Sequence, residues 1–271
     1  MAKVLVVTSG KGGVGKTTST AALGAALAQN GERVVVVDFD VGLRNLDLVM
    51  GAERRVVFDL INVVQGVAKL SQALIRDKRL ENLWLLPASQ TRDKDALTDD
   101  GVRRIIADLR TKFDWVICDS PAGIERGATL AMRYADEAVI VTNPEVSSVR
   151  DSDRIIGMLD SKTARAERGE RVTKHVLITR YDSARAMRGE MLGIDDILDI
   201  LATPLLGIIP ESQDVLRASN IGSPVTLNNA ASAPARAYFD AARRLNGEDV
   251  AMTVPVERRG FMNRLLGRRA A

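Results

Sequence analysis

The residues Gly10-Lys11-Gly12-Gly13-Val14-Gly15-Lys16-Thr17 set four glycines and two lysines between a run of valines and an alanine-rich segment. They fit the pattern G-x-x-x-x-G-K-[ST] in full. Glycines at that spacing let backbone N–H groups turn inward as an anion nest, and a helix that follows adds its partial positive charge. Lys16 is then placed to reach the β/γ-phosphates of a nucleotide. Thr17 is placed to ligate Mg²⁺ directly through its hydroxyl, and Thr18 to line the same site. A glycine-rich turn without a ligand is the competing reading, and the strand–loop–helix setting argues against it. Lys11 is surplus, because one triphosphate does not need two lysines from one loop. Its plain reading is a solvated loop lysine.

Three carboxylates complement the loop. In VVVVDFDVGLRNLD, Asp38 ends a strand pattern and Asp40 follows it; in WVICDSPAGIE, Asp119 ends another. Strand-end carboxylates beside a nucleotide can hold Mg²⁺ through its waters, because that ion keeps much of its hydration. Asp38 and Asp119 are expected in that role, and Asp40 as the group that positions an attacking water. Aspartate is also favoured in caps and turns, which is the competing reading at all three positions.

Such residues need a scaffold that gathers strand ends. KVLVVTS, RVVVVDF, NLWLLPAS, WVICDSP, EAVIVTNP, KHVLITR and PLLGIIPE are apolar throughout, as strands covered on both faces are. Helix patterns lie between them near 16–30, 99–112, 124–134, 147–165, 190–202 and 232–245. This alternation predicts an α/β fold: a doubly wound, mostly parallel sheet with helices on both faces, of the P-loop NTPase class. Ligands in such folds sit beyond the carboxyl ends of the strands. The charged stretch RAERGERVTK, 165–174, reads as a loop. We expect a P-loop ATPase domain over 1–247, a linker over 248–256 and a membrane-targeting tail over 257–271.

With 271 residues, 46% of them hydrophobic, the chain can bury one substantial core. No apolar run approaches the length that spans a bilayer, and MAKVLVV has neither the apolar block nor the cleavage site of a signal peptide. Cys118 is the one cysteine and His175 the one histidine. That is too few for an internal disulfide, a structural zinc or an iron–sulfur site, so a reducing, cytoplasmic setting is expected. The basicity is local. Residues 257–271 carry five arginines and one glutamate, +4, against +3 for the whole chain, so residues 1–256 sum to −1. Wound as a helix at about 100° per residue, the tail puts Phe261, Met262, Leu265 and Leu266 on one face, with Arg264 and Arg268 flanking it. That pattern reads as an in-plane anchor for an anionic membrane surface. A solvated basic tail or a DNA-contacting arm competes, but large apolar residues suit lipid better than a phosphate backbone. No specific nucleic acid is expected.

The segments SGKGGVGKTT, DFDVGLRNLDLVMG, LPASQTRDKDAL, CDSPAGIE and NPEVSSVRDSDRI extend the pattern over essentially the whole chain. Together they closely resemble the MinD family of cell-division site-selection ATPases, within the deviant Walker A group marked by K-G-G-V-G-K-T. The resemblance implies an ATP- and Mg²⁺-dependent enzyme that forms an ATP-sandwiched homodimer, in which Lys11 acts in trans on the facing subunit. It implies peripheral attachment to the inner face of the cell membrane, recruitment of the division inhibitor MinC and discharge by MinE. By matching motif, 119–123 corresponds to the second switch, and Arg150, Asp151 and Asp153 to the MinC and MinE contact region. Relatives often carry an asparagine for adenine at the end of the sixth strand pattern, where this chain reads Ile178-Thr179-Arg180. Arg180 and Pro210 are accordingly the expected neighbours of the base. Two related families share the loop. ParA-type partition ATPases bind DNA through a basic body, which a net −1 does not offer. Nitrogenase-type reductases need cluster-bridging cysteines. A nucleotide-gated binding module, with incidental hydrolysis, is a third reading.

Overall fold

The computed structural model describes residues 2–90 and 96–255. In chain order the first part runs β1 (Lys3–Thr8), α1 (Lys16–Gln29), β2 (Val34–Asp38), α2 (Leu46–Val49), α3 (Leu60–Val64), α4 (Leu70–Ala73), β3 (Ile75–Arg76) and β4 (Leu83–Leu86). The middle runs α5 (Asp99–Arg110), β5 (Trp115–Asp119), α6 (Arg126–Met132), β6 (Glu137–Thr142), α7 (Val146–Ser161) and α8 (Ala164–Glu167). Last come β7 (Thr173–Tyr181), α9 (Ser183–Met187), α10 (Ile194–Leu201), β8 (Leu205–Pro210), α11 (Gln213–Asn220), α12 (Val225–Asn228) and α13 (Ala233–Leu245).

The strands make one sheet in the order β3-β4-β2-β5-β1-β6-β7-β8. Every pairing is parallel except that of the two-residue β3 with β4. The two-residue period of a strand divides the valines between two cores. Leu5, Val7, Val34 and Val36 pack against α1 and α13 on one face, while Val4, Val6, Val35 and Val37 pack against α5 and α6 on the other. Helix α1 is alanine-rich because it lies between the sheet and α13. At Gly24 even one methyl group would come within 2.7 Å of Val36 Cγ1. Cys118, on β5, is 1% exposed, and burial pushes its thiol up to about 12.

Several sequence expectations need correction. Helices α2, α3 and α4 and strand β3 have no counterpart in the periodic pattern, because each is too short to develop one. The helix expected over 147–165 stops at Ser161. The stretch 165–174 is not all loop, since Thr163 accepts a hydrogen bond from Ala166 N and opens the short helix α8. Of the expected linker, the described part is pinned to the body: Arg244 donates to Val250 O at 2.9 Å and to Ala251 O at 2.7 Å. Phe261, Met262, Arg264, Leu265, Leu266 and Arg268 lie outside the described residues. Among the described residues no helix is long and apolar enough to cross a membrane.

Candidate functional site

The turn from β1 to α1 stands at the centre of the sheet, where β1 lies between β5 and β6. Gly13 (φ 74°) and Gly15 (φ 100°) take left-handed backbone, which glycine alone adopts at no steric cost. Gly15 is the N-cap of α1 and no side chain caps the helix, so its first-turn N–H groups are left for an anion. They border a cavity of about 630 Å³ that Asp40, Asn45 and Arg180 also line. A neighbouring recess of about 270 Å³ is lined by Val14, Gly15, Thr18, Arg180 and Pro210, among others. Gly10 is glycine for a different reason. A Cβ there would stand 2.3 Å from Asp151 O, so the loop rests directly on the backbone of α7.

The two lysines part company. Lys16 is 8% exposed and donates to Ser9 Oγ at 2.9 Å. Burial pulls its pKa down, while the charges of Asp119 and Asp40 oppose that fall. Ser9 in turn donates to Lys11 O at 2.7 Å. Lys11 points the other way: its Nζ donates to Glu145 Oε2 at 2.7 Å and to Ser147 Oγ at 3.1 Å, at the start of α7. That pair is exposed, at 39% and 54% for the two side chains.

Asp38 and Asp119 close their strands side by side, as register partners of β2 and β5. Both are buried, so each carboxyl is pushed up. For Asp38 the causes are burial and then the Asp119 charge, opposed by hydrogen bonds from the N–H groups of Asp40 and Leu46. For Asp119 burial dominates and takes it to about 7, against the pull of the Thr17 hydroxyl, Lys16 and the Thr20 hydroxyl. Thr20 donates to Asp119 Oδ1 at 3.1 Å. A buried, mutually repelling acid pair beside Thr17 is a donor set that a hydrated Mg²⁺ ion relieves.

A pH dependence follows. With its pKa raised from 3.8 to about 7, Asp119 holds a proton in the folded chain where the unfolded chain has lost it. Metal-free stability therefore falls as pH rises through that window. The thermal midpoint of the Asp119→Asn variant should drop less than that of the unsubstituted protein between about pH 5 and about pH 8. Equal drops in melts recorded by circular dichroism would refute this assignment of the proton.

Of the remaining expected residues, Arg150 and Asp153 are exposed on α7, and Asp151 is half-buried against the loop. Arg180 takes φ 53°, where the β7–β8 register shifts between Ile178 and Tyr181. Before it, Thr179 donates to Val14 O at 2.7 Å and ties β7 to the phosphate loop. Ser9, Thr20, Glu145 and Thr179 escaped the sequence reading. Ser9 and Thr20 flank the motif rather than belong to it, while Glu145 acts from the start of α7 and Thr179 from β7, both far away in sequence.

Residues 5–225 match the family described as the CobQ/CobB/MinD/ParA nucleotide binding domain. The chain is 59% identical over 270 residues to the septum site-determining protein MinD of Escherichia coli strain K12, covering 98% of this chain and 100% of that one. Its structure is similar to a chain of the MinC:MinD cell division protein complex of Aquifex aeolicus, with TM-score 0.82, 41% identity, and 95% and 99% of the two chains covered. It is also similar to the septum site-determining protein MinD complexed with Mg-ADP from Pyrococcus horikoshii OT3, with TM-score 0.80, 31% identity, and 91% and 96% covered.

Proposed function

Because this chain belongs to the MinD family of nucleotide-binding proteins, we propose that it is a Mg²⁺-dependent ATP hydrolase for septum placement that dimerises with ATP. The observation that carries this reading is the opposed setting of the two lysines: Lys16 is buried in its own cavity, and Lys11 is turned out on Glu145. Lys16 and the N–H groups of the loop take the phosphates. Thr17 would ligate the metal directly, Asp38 and Asp119 would hold it through water, and Asp40 would position the attacking water. Arg180 and Pro210, which line the second recess, would border the base. The Aquifex aeolicus relative is part of a MinC:MinD complex, and MinC is the partner we assign here, docking at Arg150, Asp151 and Asp153 on α7. MinE, stimulating hydrolysis, would discharge the complex.

The 257–271 tail supplies attachment to the inner face of the membrane. Each arginine near an anionic surface is worth about 1 kcal/mol. Each apolar side chain fully buried adds about 1.5–3 kcal/mol, and ordering costs about 1–2 kcal/mol per residue. One tail is thus marginal. Two on one dimer gain roughly 10²–10⁴ in avidity without a new contact, so ATP controls membrane residence by controlling dimerisation.

Co-sedimentation with anionic vesicles tests this, in ATP, in ADP and without nucleotide. The full chain should pellet in ATP alone. A 1–256 truncation and Leu265→Glu should stay in solution while still dimerising, because the substitution forfeits the about 1.5–3 kcal/mol that one fully buried apolar side chain contributes and adds a carboxylate that an anionic surface repels. Asp40→Ala should remain pelleted, since it keeps its ATP. Undiminished binding by Leu265→Glu overturns the anchor and returns attention to a body surface and to DNA partition.

A further inference from the structure

An arginine outside the nucleotide pocket joins the two segments that flank it. Arg79 lies on the turn between β3 and β4. Its Nη2 donates to Met50 O, just after α2, at 2.9 Å, and its Nη1 donates to Gly222 O, just after α11, at 3.1 Å. Asp77 fixes the guanidinium, accepting from Nη2 at 2.8 Å and from Nε at 3.2 Å. Burial pushes the Asp77 carboxyl up, and the Arg79 bonds outweigh that and hold it below its ordinary value. Two glycines close the joint: a Cβ on Gly222 would stand 2.7 Å from Gly51 Cα, and one on Gly51 would stand 2.5 Å from Gly222 O.

Both joined segments border the site. Helix α2 lends Leu48 and Val49 to the larger cavity, and its first residue, Leu46, donates its N–H to Asp38 Oδ2 at 3.2 Å. Helix α11 lends Gln213 and Ser219 to the recess beside Arg180. A guanidinium fork can grip two carbonyls at once, which a lysine ammonium on a flexible stem does less well.

We propose that Arg79 is a positioning residue for hydrolysis, fastening the α2 segment, whose Leu46 N–H holds Asp38, to helix α11 beside the second recess. Its part in turnover rests on the ATPase reading above. The test uses the full chain with Arg79→Gln, Arg79→Lys and Asp77→Asn, counting active sites by bound fluorescent ADP. For Arg79→Gln, kcat per site should fall about tenfold while KM and the ADP Kd stay within about threefold, the signature of lost positioning rather than lost binding. Asp77→Asn should lose less, and Arg79→Lys should recover only part of the loss. Hydrogen exchange adds an arm that needs no turnover. ADP should protect amides 46–50 and 213–220 in the unsubstituted protein, but only 213–220 in Arg79→Gln. An unchanged kcat per site, a joint loss of kcat and affinity, or equal protection of 46–50 overturns the proposal. Absence of turnover in the unsubstituted protein would instead remove the ATPase reading, with the exchange arm still deciding whether Arg79 makes the tie.

Discussion

Lys16→Ala is expected to bind ADP and ATP more weakly by roughly 10²–10³-fold, the equivalent of about 3–4 kcal/mol. The magnitude comes from what remains once the ammonium is gone. Asp38, Asp40 and Asp119 crowd the same strand ends, and Lys16 is the cation among them, its fall on burial opposed by the charges of Asp119 and Asp40. Without it, a phosphate chain would enter a site of negative sign and leave buried charge unpaired. The free protein gains something in return, since a desolvated cation is no longer held at 8% exposure. That gain is small beside the loss, because Lys16 already spends its nucleotide-free state hydrogen-bonded to Ser9. Titration calorimetry decides the matter, and an unchanged ADP affinity would reject the phosphate-site assignment.

Lys11→Ala should do the opposite: keep monomer affinity for ADP within about threefold and abolish ATP-dependent dimerisation. Lys11 does not take part in its own cavity, and its exposed pair with Glu145 is worth about 0–1 kcal/mol. So weak a hold is easily exchanged for a phosphate on a facing subunit, where desolvation makes each charged contact worth about 2 kcal/mol or more. A symmetric dimer contains two such contacts, which places the expected loss of dimer affinity at a hundredfold or more, about 10²–10³. Glu145→Gln should shift the balance the other way by about fivefold at most, because it releases Lys11 from its resting partner. Light scattering in ATP gives the answer. An undiminished dimer in Lys11→Ala would mean that this lysine acts only on its own chain.

Much of this architecture could be read before any coordinates, and the reason is locality. A strand covered on both faces declares itself in a few consecutive valines, and the phosphate loop in eight consecutive residues, Gly10–Thr17. Asp38 and Asp119 could be placed because each closes such a run. What escaped was either too short or too distant. Helix α3 is one turn held by the reciprocal caps of Asp59 and Asn62, with no room for a hydrophobic period. The pairing of Lys11 with Glu145 spans 134 residues, and no local pattern ties one to the other. Gly10 is a subtler case. The motif explains its presence by the anion nest, while the structure adds its contact with Asp151 on α7.

The burial of Cys118 carries a practical consequence for watching that contact. Thiols react with maleimides as thiolates, and a thiol held near 12 is ionised to only about one part in 10⁵ at neutral pH. It is also covered on all sides by the sheet core. A cysteine introduced at exposed Arg150 can therefore be labelled selectively without first removing the native one. A fluorophore at that position would report the environment of α7 as nucleotide enters the loop beneath it, in the otherwise unaltered protein.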